Sequence, residues 1–394
     1  MASPSRTSAL VAACLLLVGQ IFLVLVAPLT RAQGTFAEIV GVAILVPDSR
    51  SYLDVASQLP ERIALPWMRM GYPTILAVAD LIGDPLLITV LAQLGALLLA
   101  GAALHRALHT SAGGVAALIA SSVLLVNPMV AQWGRILVTE SLFFAGIVGL
   151  MVLGRCLLDT ELSRPSALAF GAIALSMPLL RANGIFVLFS ALTLVSIARF
   201  RGLTRWTTVG GLWLVLLLVL PSFLATVGPP AEGTIAAQLR AGVVIEGTDH
   251  VRTTIPMPHD GRAEDESLSG AAAYALGNPV ATAHLGIRRV TAEMLQVRRH
   301  YPTVVNVAFG IAMFLYLAAA FIGWMDSRGR RWRALVSVLA LPLVVVTAAT
   351  FASPEGRYGW AFLLPLAPLV GIGADRAVKE TVGRMERRRR TSPR

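Results

Sequence analysis

The sequence is short of charge. Only 14% of its 394 residues are charged, where soluble domains carry about 25%. The shortfall falls in long apolar runs, among them Leu10 to Pro28, Pro85 to Leu104, Ser141 to Leu158, Trp206 to Val227 and Val304 to Trp324. A helix needs roughly 20 apolar residues to cross a bilayer, so these runs exclude an ordinary soluble domain. Cysteine is scarcer still, with two residues in all. Cys14 and Cys156 both lie in apolar runs, which argues against a disulfide framework or a metal site. There is no P-loop, no GxGxxG following a strand, no HExxH and no CxxC, and the six histidines show no ligand spacing. ATP-driven transport and zinc chemistry therefore lack their signatures.

What is present reads as an all-α, polytopic transmembrane helix bundle of about ten spans. They cover about 8–28, 84–104, 113–128, 140–158, 165–181, 184–199, 206–227, 303–324, 334–352 and 359–375. The first run is longer than the roughly 7–15 apolar residues of a signal peptide, so it is expected to stay as a helix. Only Ala182 and Asn183 separate the fifth span from the sixth, a tight helical hairpin. Pro66 to Ile82, interrupted by Arg69, Gly71, Pro73 and Asp80, is expected to be interfacial.

The formal net charge is +11. In a soluble protein that would raise a nucleic-acid partner. Here the basic residues sit in short loops and at the end of the chain: Arg106; Arg155 and Arg164; Arg199, Arg201 and Arg205; Arg328 to Arg333; and the tail 376–394. An even number of spans puts all of them on one side, as cytoplasmic loops require. The expectation is a multi-pass plasma or inner membrane protein with both termini cytoplasmic, no nucleic-acid partner, and a tail able to touch anionic lipid. The transmembrane region covers 1–375. Two long segments, about 29–83 and 228–302, then face outward. Arginine far outnumbers lysine and alanine is abundant, a composition that suggests a GC-rich bacterium.

Ionisable residues beside apolar spans tend to face cavities or partners. At the outer helix ends these are Asp48 and Asp54, Glu140, Arg181, and Glu355 with Arg357. Each has a plainer reading. Asp48 and Glu140 suit helix N-termini, Arg181 suits a helix C-terminus, and Glu355 suits a pairing with Arg357. In the helix-like stretch 281–301, Arg288 and Arg299 are close to three turns apart and share a face, fit for a surface helix or a lipid phosphate. Carboxylates and arginines gathered at one lipid–water boundary suit a reaction that deprotonates an acceptor and stabilises a phosphate leaving group.

The order of these motifs resembles the GT-C superfamily of integral membrane glycosyltransferases. It runs Asp48-Ser49-Arg50-Ser51-Tyr52, then Thr139-Glu140-Ser141-Leu142-Phe143, then Arg181-Ala182-Asn183-Gly184, then Arg357-Tyr358. The similarity is closest to the protein-mannosyltransferase and aminoarabinose-transferase-like branch. It implies an inverting transferase that takes a sugar from a polyprenyl-phosphate donor on the extracytoplasmic side. The acceptor would be an envelope glycan, lipid or protein. Asp48 takes the position of the catalytic base, Glu140 supports acceptor or base, and Arg181 and Arg357 hold the donor phosphate. Tyr52, Asp54, Asn183, Arg288, Arg299, Glu355 and Tyr358 complete the expected substrate site. No cofactor is expected. The second acid that some branches place next to the first is missing, with Asp54 six residues on, so the choice of base and any divalent-metal dependence stay open. The alternatives are a transporter or flippase for lipid-linked sugars, a non-catalytic envelope-assembly protein, and an oligosaccharide ligase or polymerase.

Overall fold

The structure is a computed structural model that describes residues 6–30, 47–59, 71–159, 162–227, 235–246, 251–259, 266–296, 298, 301–350, 352 and 357–391. Every span read from hydropathy corresponds to helix. In chain order these are α1 (Arg6–Thr30), α2 (Pro47–Ser57), α3 (Gly71–Ile82), α4 (Pro85–Ala112), α5 (Gly114–Leu125), α6 (Pro128–Ala131), α7 (Glu140–Asp159), α8 (Arg164–Leu180), α9 (Gly184–Arg199) and α10 (Gly202–Val227). Segment 228–302 holds α11 (Ile235–Arg240), strands β1 (Val243–Ile245) and β2 (Thr253–Thr254), α12 (Leu268–Gly277) and α13 (Pro279–Leu295). Helices α14 (Thr303–Met325), α15 (Arg330–Ala349), α16 (Arg357–Leu363) and α17 (Ala367–Thr391) follow. A single 3₁₀ turn, Leu364–Leu366, joins α16 to α17, and α17 carries the basic tail onward as helix to Thr391.

Five helical stretches among the described residues are long and apolar enough to cross a membrane, or six if the pair Gly114–Leu125 and Pro128–Gly134, bent by 46°, counts as one span. Shorter apolar helices, including Arg164–Leu180 and Gly184–Arg199, pack beside them. Their outward faces carry exposed Leu168, Leu218, Phe314 and Phe321. Water would penalise that surface at roughly 25 cal/mol per Å²; hydrocarbon covers it at no such cost. These are the features of a membrane protein.

Starts and stops follow local chemistry. Asp84 caps α4, accepting from the backbone N–H of Leu86 at 2.9 Å and of Leu87 at 3.2 Å, with Pro85 at the first helical position. Inside the bundle, α4 packs on α1, α5 and α7, and α14 lies along α17. That last pair touches backbone to backbone. A Cβ on Gly373 would run into the Ala319 carbonyl and sit 2.7 Å from the Gly323 nitrogen. Small residues permit such approach between membrane helices. Gly373→Val should therefore push α14 and α17 apart and cost about 1–3 kcal/mol, read as a lowered unfolding midpoint in detergent; an unchanged midpoint would show that the helices are not so close.

The described residues of segment 228–302 hold regular structure. β1 pairs antiparallel with β2 and bridges Ala352, with N–H to carbonyl bonds of 3.0 Å (Glu246 to Ala352) and 2.8 Å (Ala352 to Val244). Buried Leu239, Ile245, Tyr274, Leu285 and Ala352 form its own small core. β1 is thus tied to Ala352, shortly after α15.

Candidate functional site

Asp48 lies in the first turn of α2, Glu140 opens α7, Arg181 directly follows α8 and Arg357 opens α16. The acids stand at helix N-termini, where the backbone dipole favours negative charge. Arg181 closes α8, its N–H bonded to the Met177 carbonyl at 3.1 Å. Arg181 thus caps α8 through its backbone, the two acids stand in first turns, and the side chains also meet. Arg357 Nη1 donates to Asp48 Oδ2 at 2.9 Å and to Glu140 Oε1 at 3.3 Å. Arg181 Nη1 stands 2.7 Å from the same Glu140 oxygen. One arginine bridges two carboxylates, and one carboxylate gathers two arginines.

Burial is graded across the cluster. Side-chain exposure is 2% for Glu140, 13% for Arg181, 22% for Arg357 and 49% for Asp48. Glu140 is the anchor and Asp48 the open end. The Tyr358 ring centroid lies 5.2 Å from the Arg181 guanidinium and 5.4 Å from that of Arg357. Phe143 flanks Arg181 at 5.6 Å. These cation–π contacts hold the guanidiniums without spending their N–H groups. Tyr52 stands with its ring edge-on to Tyr72 at 5.1 Å. Burial, helped by the nearby Glu140 charge, pushes its hydroxyl above the usual tyrosine range. It is therefore a neutral hydrogen-bond donor at physiological pH.

The other expected residues divide. Asp54 is exposed on α2. Asn183 does not cap α9 through its side chain, and its Oδ1 is buried without a partner among the described residues. Glu355 and Arg299 lie outside the described residues. The helix-like stretch 281–301 ends as helix at Leu295, and Gln296 turns left-handed (φ 56°). Arg288 is exposed and donates to His284 Nε2 at 3.2 Å. The inward face of α13 instead carries Leu285, Arg289 and Glu293, four residues apart.

Those two buried charges, unremarked in the sequence, set the frame for Arg357. Arg289 donates from Nε to the Val243 carbonyl at 2.8 Å, and from Nη1 to Ala348 and Ala349 at 3.1 and 3.0 Å. It ties β1 to the last carbonyls of α15. Burial depresses its pKa to about 10, Glu246 opposing, so it remains a cation at neutral pH. Glu293 Oε2 accepts from the Gly359 N–H at 2.9 Å, inside the first turn of α16, and lies 3.6 Å from buried Arg298. On the opposite side, buried Gln93 of α4 donates to the carbonyls of Trp133 (3.1 Å), Gly134 (3.3 Å) and Ile136 (2.9 Å). That orders the 3₁₀ turn Gln132–Gly134 and the irregular residues after it that lead to Glu140. An amide inside an otherwise apolar span is the sequence signal that could have found Gln93. The four-residue spacing of Arg289 and Glu293 is the one for α13.

Gly359 admits no side chain. A Cβ there would lie 2.7 Å from the Glu293 carbonyl oxygen and 2.8 Å from its Oε2. Gly359→Ala should displace the start of α16 and Arg357 with it. A displacement of order 1 Å costs about 10²-fold in a positioned reaction, so any reaction carried out at this cluster should slow by that much. Equal turnover by the variant would detach Glu293 from the site.

Among the described residues no three His, Cys, Asp or Glu side chains converge as a metal site would require. Comparison with protein-family models, with curated proteins and with solved structures gives no match.

Proposed function

We propose that this protein is a GT-C-like membrane glycosyltransferase of about ten spans. It moves a sugar with inversion from a polyprenyl-phosphate donor to an acceptor hydroxyl on an envelope glycan, lipid or protein. The reading places both termini in the cytoplasm and the charged cluster outside. The observation that carries it is the bridge of Arg357 between Asp48 and Glu140, with Arg181 alongside. Residues more than 300 apart in the chain meet at one end of an apolar bundle, where a lipid-linked phosphate and a water-borne acceptor can both arrive.

The chemistry follows from the gradient of burial. A donor phosphate offers oxygens to two planar guanidiniums, each suited to bidentate recognition. As Arg357 turns to the phosphate, its hold on Asp48 slackens. Asp48 then takes the proton of the acceptor hydroxyl. The acceptor oxygen bonds to the anomeric carbon from the face opposite the phosphate, the carbon–phosphate-oxygen bond breaks, and the electron pair leaves with the polyprenyl phosphate. Arg181 and Arg357 disperse that charge, and Glu140 holds both arginines in place. Asp48 returns its proton to water.

The test is incubation of the purified protein with labelled polyprenyl-phosphate sugars and an envelope extract. Consumption of one donor with release of polyprenyl phosphate is expected. If every donor survives while the protein stays folded, the reading fails.

A further inference from the structure

The opposite end of the bundle carries a second charged site. Glu140 and Arg155 stand at the two ends of α7, separated by about 22 Å of helix. Beside Arg155 a cavity of about 600 Å³ opens between the end of α4, the end of α7 and the start of α15. Thr110, Ser111, Arg155, Arg328, Arg330 and Arg331 line it, and among the described residues no carboxylate does.

The lining is built rather than splayed. Ser111 Oγ accepts from Arg155 Nη1 at 2.9 Å, and the Arg155 guanidinium lies 4.9 Å from the Trp332 ring centroid. Arg328 is held from behind by Asp326 (3.0 Å) and Asp375 (2.6 Å), and it also donates to the Ala112 carbonyl at 3.1 Å. Asp326 and Asp375 are both buried. Asp159 pairs with Arg155 and Arg331, each at 3.2 Å. Arg330 is exposed at the cavity and has no partner among the described residues. Among the described residues, four guanidiniums, with Lys379 on Asp375 at 2.7 Å, face three carboxylates. The positive excess matches the one or two negative charges of a phosphate group. Guanidinium forks and hydroxyls are the donors a phosphate takes.

We propose that this cavity binds a phosphate group, independently of any transfer at the other end. The setting favours a phosphate that arrives on a lipid. The exposed apolar face of α14, with Phe314, Phe321 and Met325, ends two residues before Ser327 at the cavity. Acyl chains on that face would bring an anionic headgroup to the arginines, as basic pockets between membrane helices do.

The full-length protein in detergent would be titrated with inorganic phosphate and, separately, with phosphatidylglycerol and phosphatidylcholine. Binding is read by native mass spectrometry and by the unfolding midpoint. Arg330→Gln, which removes no packing or pairing, should weaken binding about tenfold, the value of one charge-assisted hydrogen bond. Arg155→Gln should do the same. Arg201→Gln, an exposed arginine outside the cavity, should leave binding unchanged. Preference for phosphatidylglycerol over phosphatidylcholine, lost in Arg330→Gln, identifies a lipid headgroup. Equal response to inorganic phosphate, also lost in Arg330→Gln, keeps the site and makes the ligand free phosphate. If Arg330→Gln and Arg155→Gln bind every probe as the parent does, or if Arg201→Gln loses as much, there is only a diffuse basic surface and the proposal falls.

Discussion

Asp48→Asn is expected to fold as the parent does and to lose transfer by about 10²–10⁴, the usual contribution of a positioned general base. The two halves of that expectation rest on different observations. Folding survives because Asp48 is the half-exposed end of the cluster, and exposed ion pairs contribute only about 0–1 kcal/mol. Asparagine keeps the shape and one acceptor oxygen for Arg357. Activity does not survive, because a carboxamide cannot take a proton from the acceptor hydroxyl. Asp54→Asn serves as the control. Asp54 is exposed on the same helix, and its variant should turn over labelled donor normally. The reverse pattern would move the base to Asp54, and full activity in both variants would remove the base from α2.

The sequence made the bundle legible because hydropathy reports what lipid demands. Helices α4, α7, α14 and α15 begin and end within a few residues of the apolar runs, at Asp84, Asp159, Pro302 and Thr350. The cluster was legible for a related reason. Charges are costly beside apolar spans, so Asp48, Glu140, Arg181 and Arg357 stood out, and the structure joins all four. The outer segment was less legible. In α13 the neighbours Arg288 and Arg289 point to opposite environments, one exposed and one buried. Arg289 is four residues from Glu293, but Arg288 is likewise four from His284, so spacing alone does not decide which turns inward. That depends on the carbonyls of Val243, Ala348 and Ala349, up to 60 residues away. A three-residue strand such as β1 leaves no periodicity to read. It exists because Ala352 and β2 supply its hydrogen bonds.

Glu140→Ala should be the most destabilising single change at the cluster, at about 3–5 kcal/mol, the cost of deleting one partner of a buried ion pair. Glu140 is almost fully buried and takes Arg181 at 2.7 Å and Arg357 at 3.3 Å. Without it the two guanidiniums face each other, and Asp48 can answer only Arg357. Glu140→Gln should cost less, since the amide keeps one acceptor oxygen while losing the charge. The pair Glu140→Ala with Arg181→Met separates anchoring from chemistry. Removing both charges deletes the stranded cation, so the double variant should be more stable than Glu140→Ala alone, with a coupling in the range of about 0.5–3 kcal/mol found for contacting residues. Transfer should not return with stability, because Arg181 is then missing from the departing phosphate. Strictly additive unfolding costs would mean that Arg181 does not depend on Glu140. Recovery of transfer along with stability would make Arg181 a packing residue, leaving Arg357 alone with the phosphate.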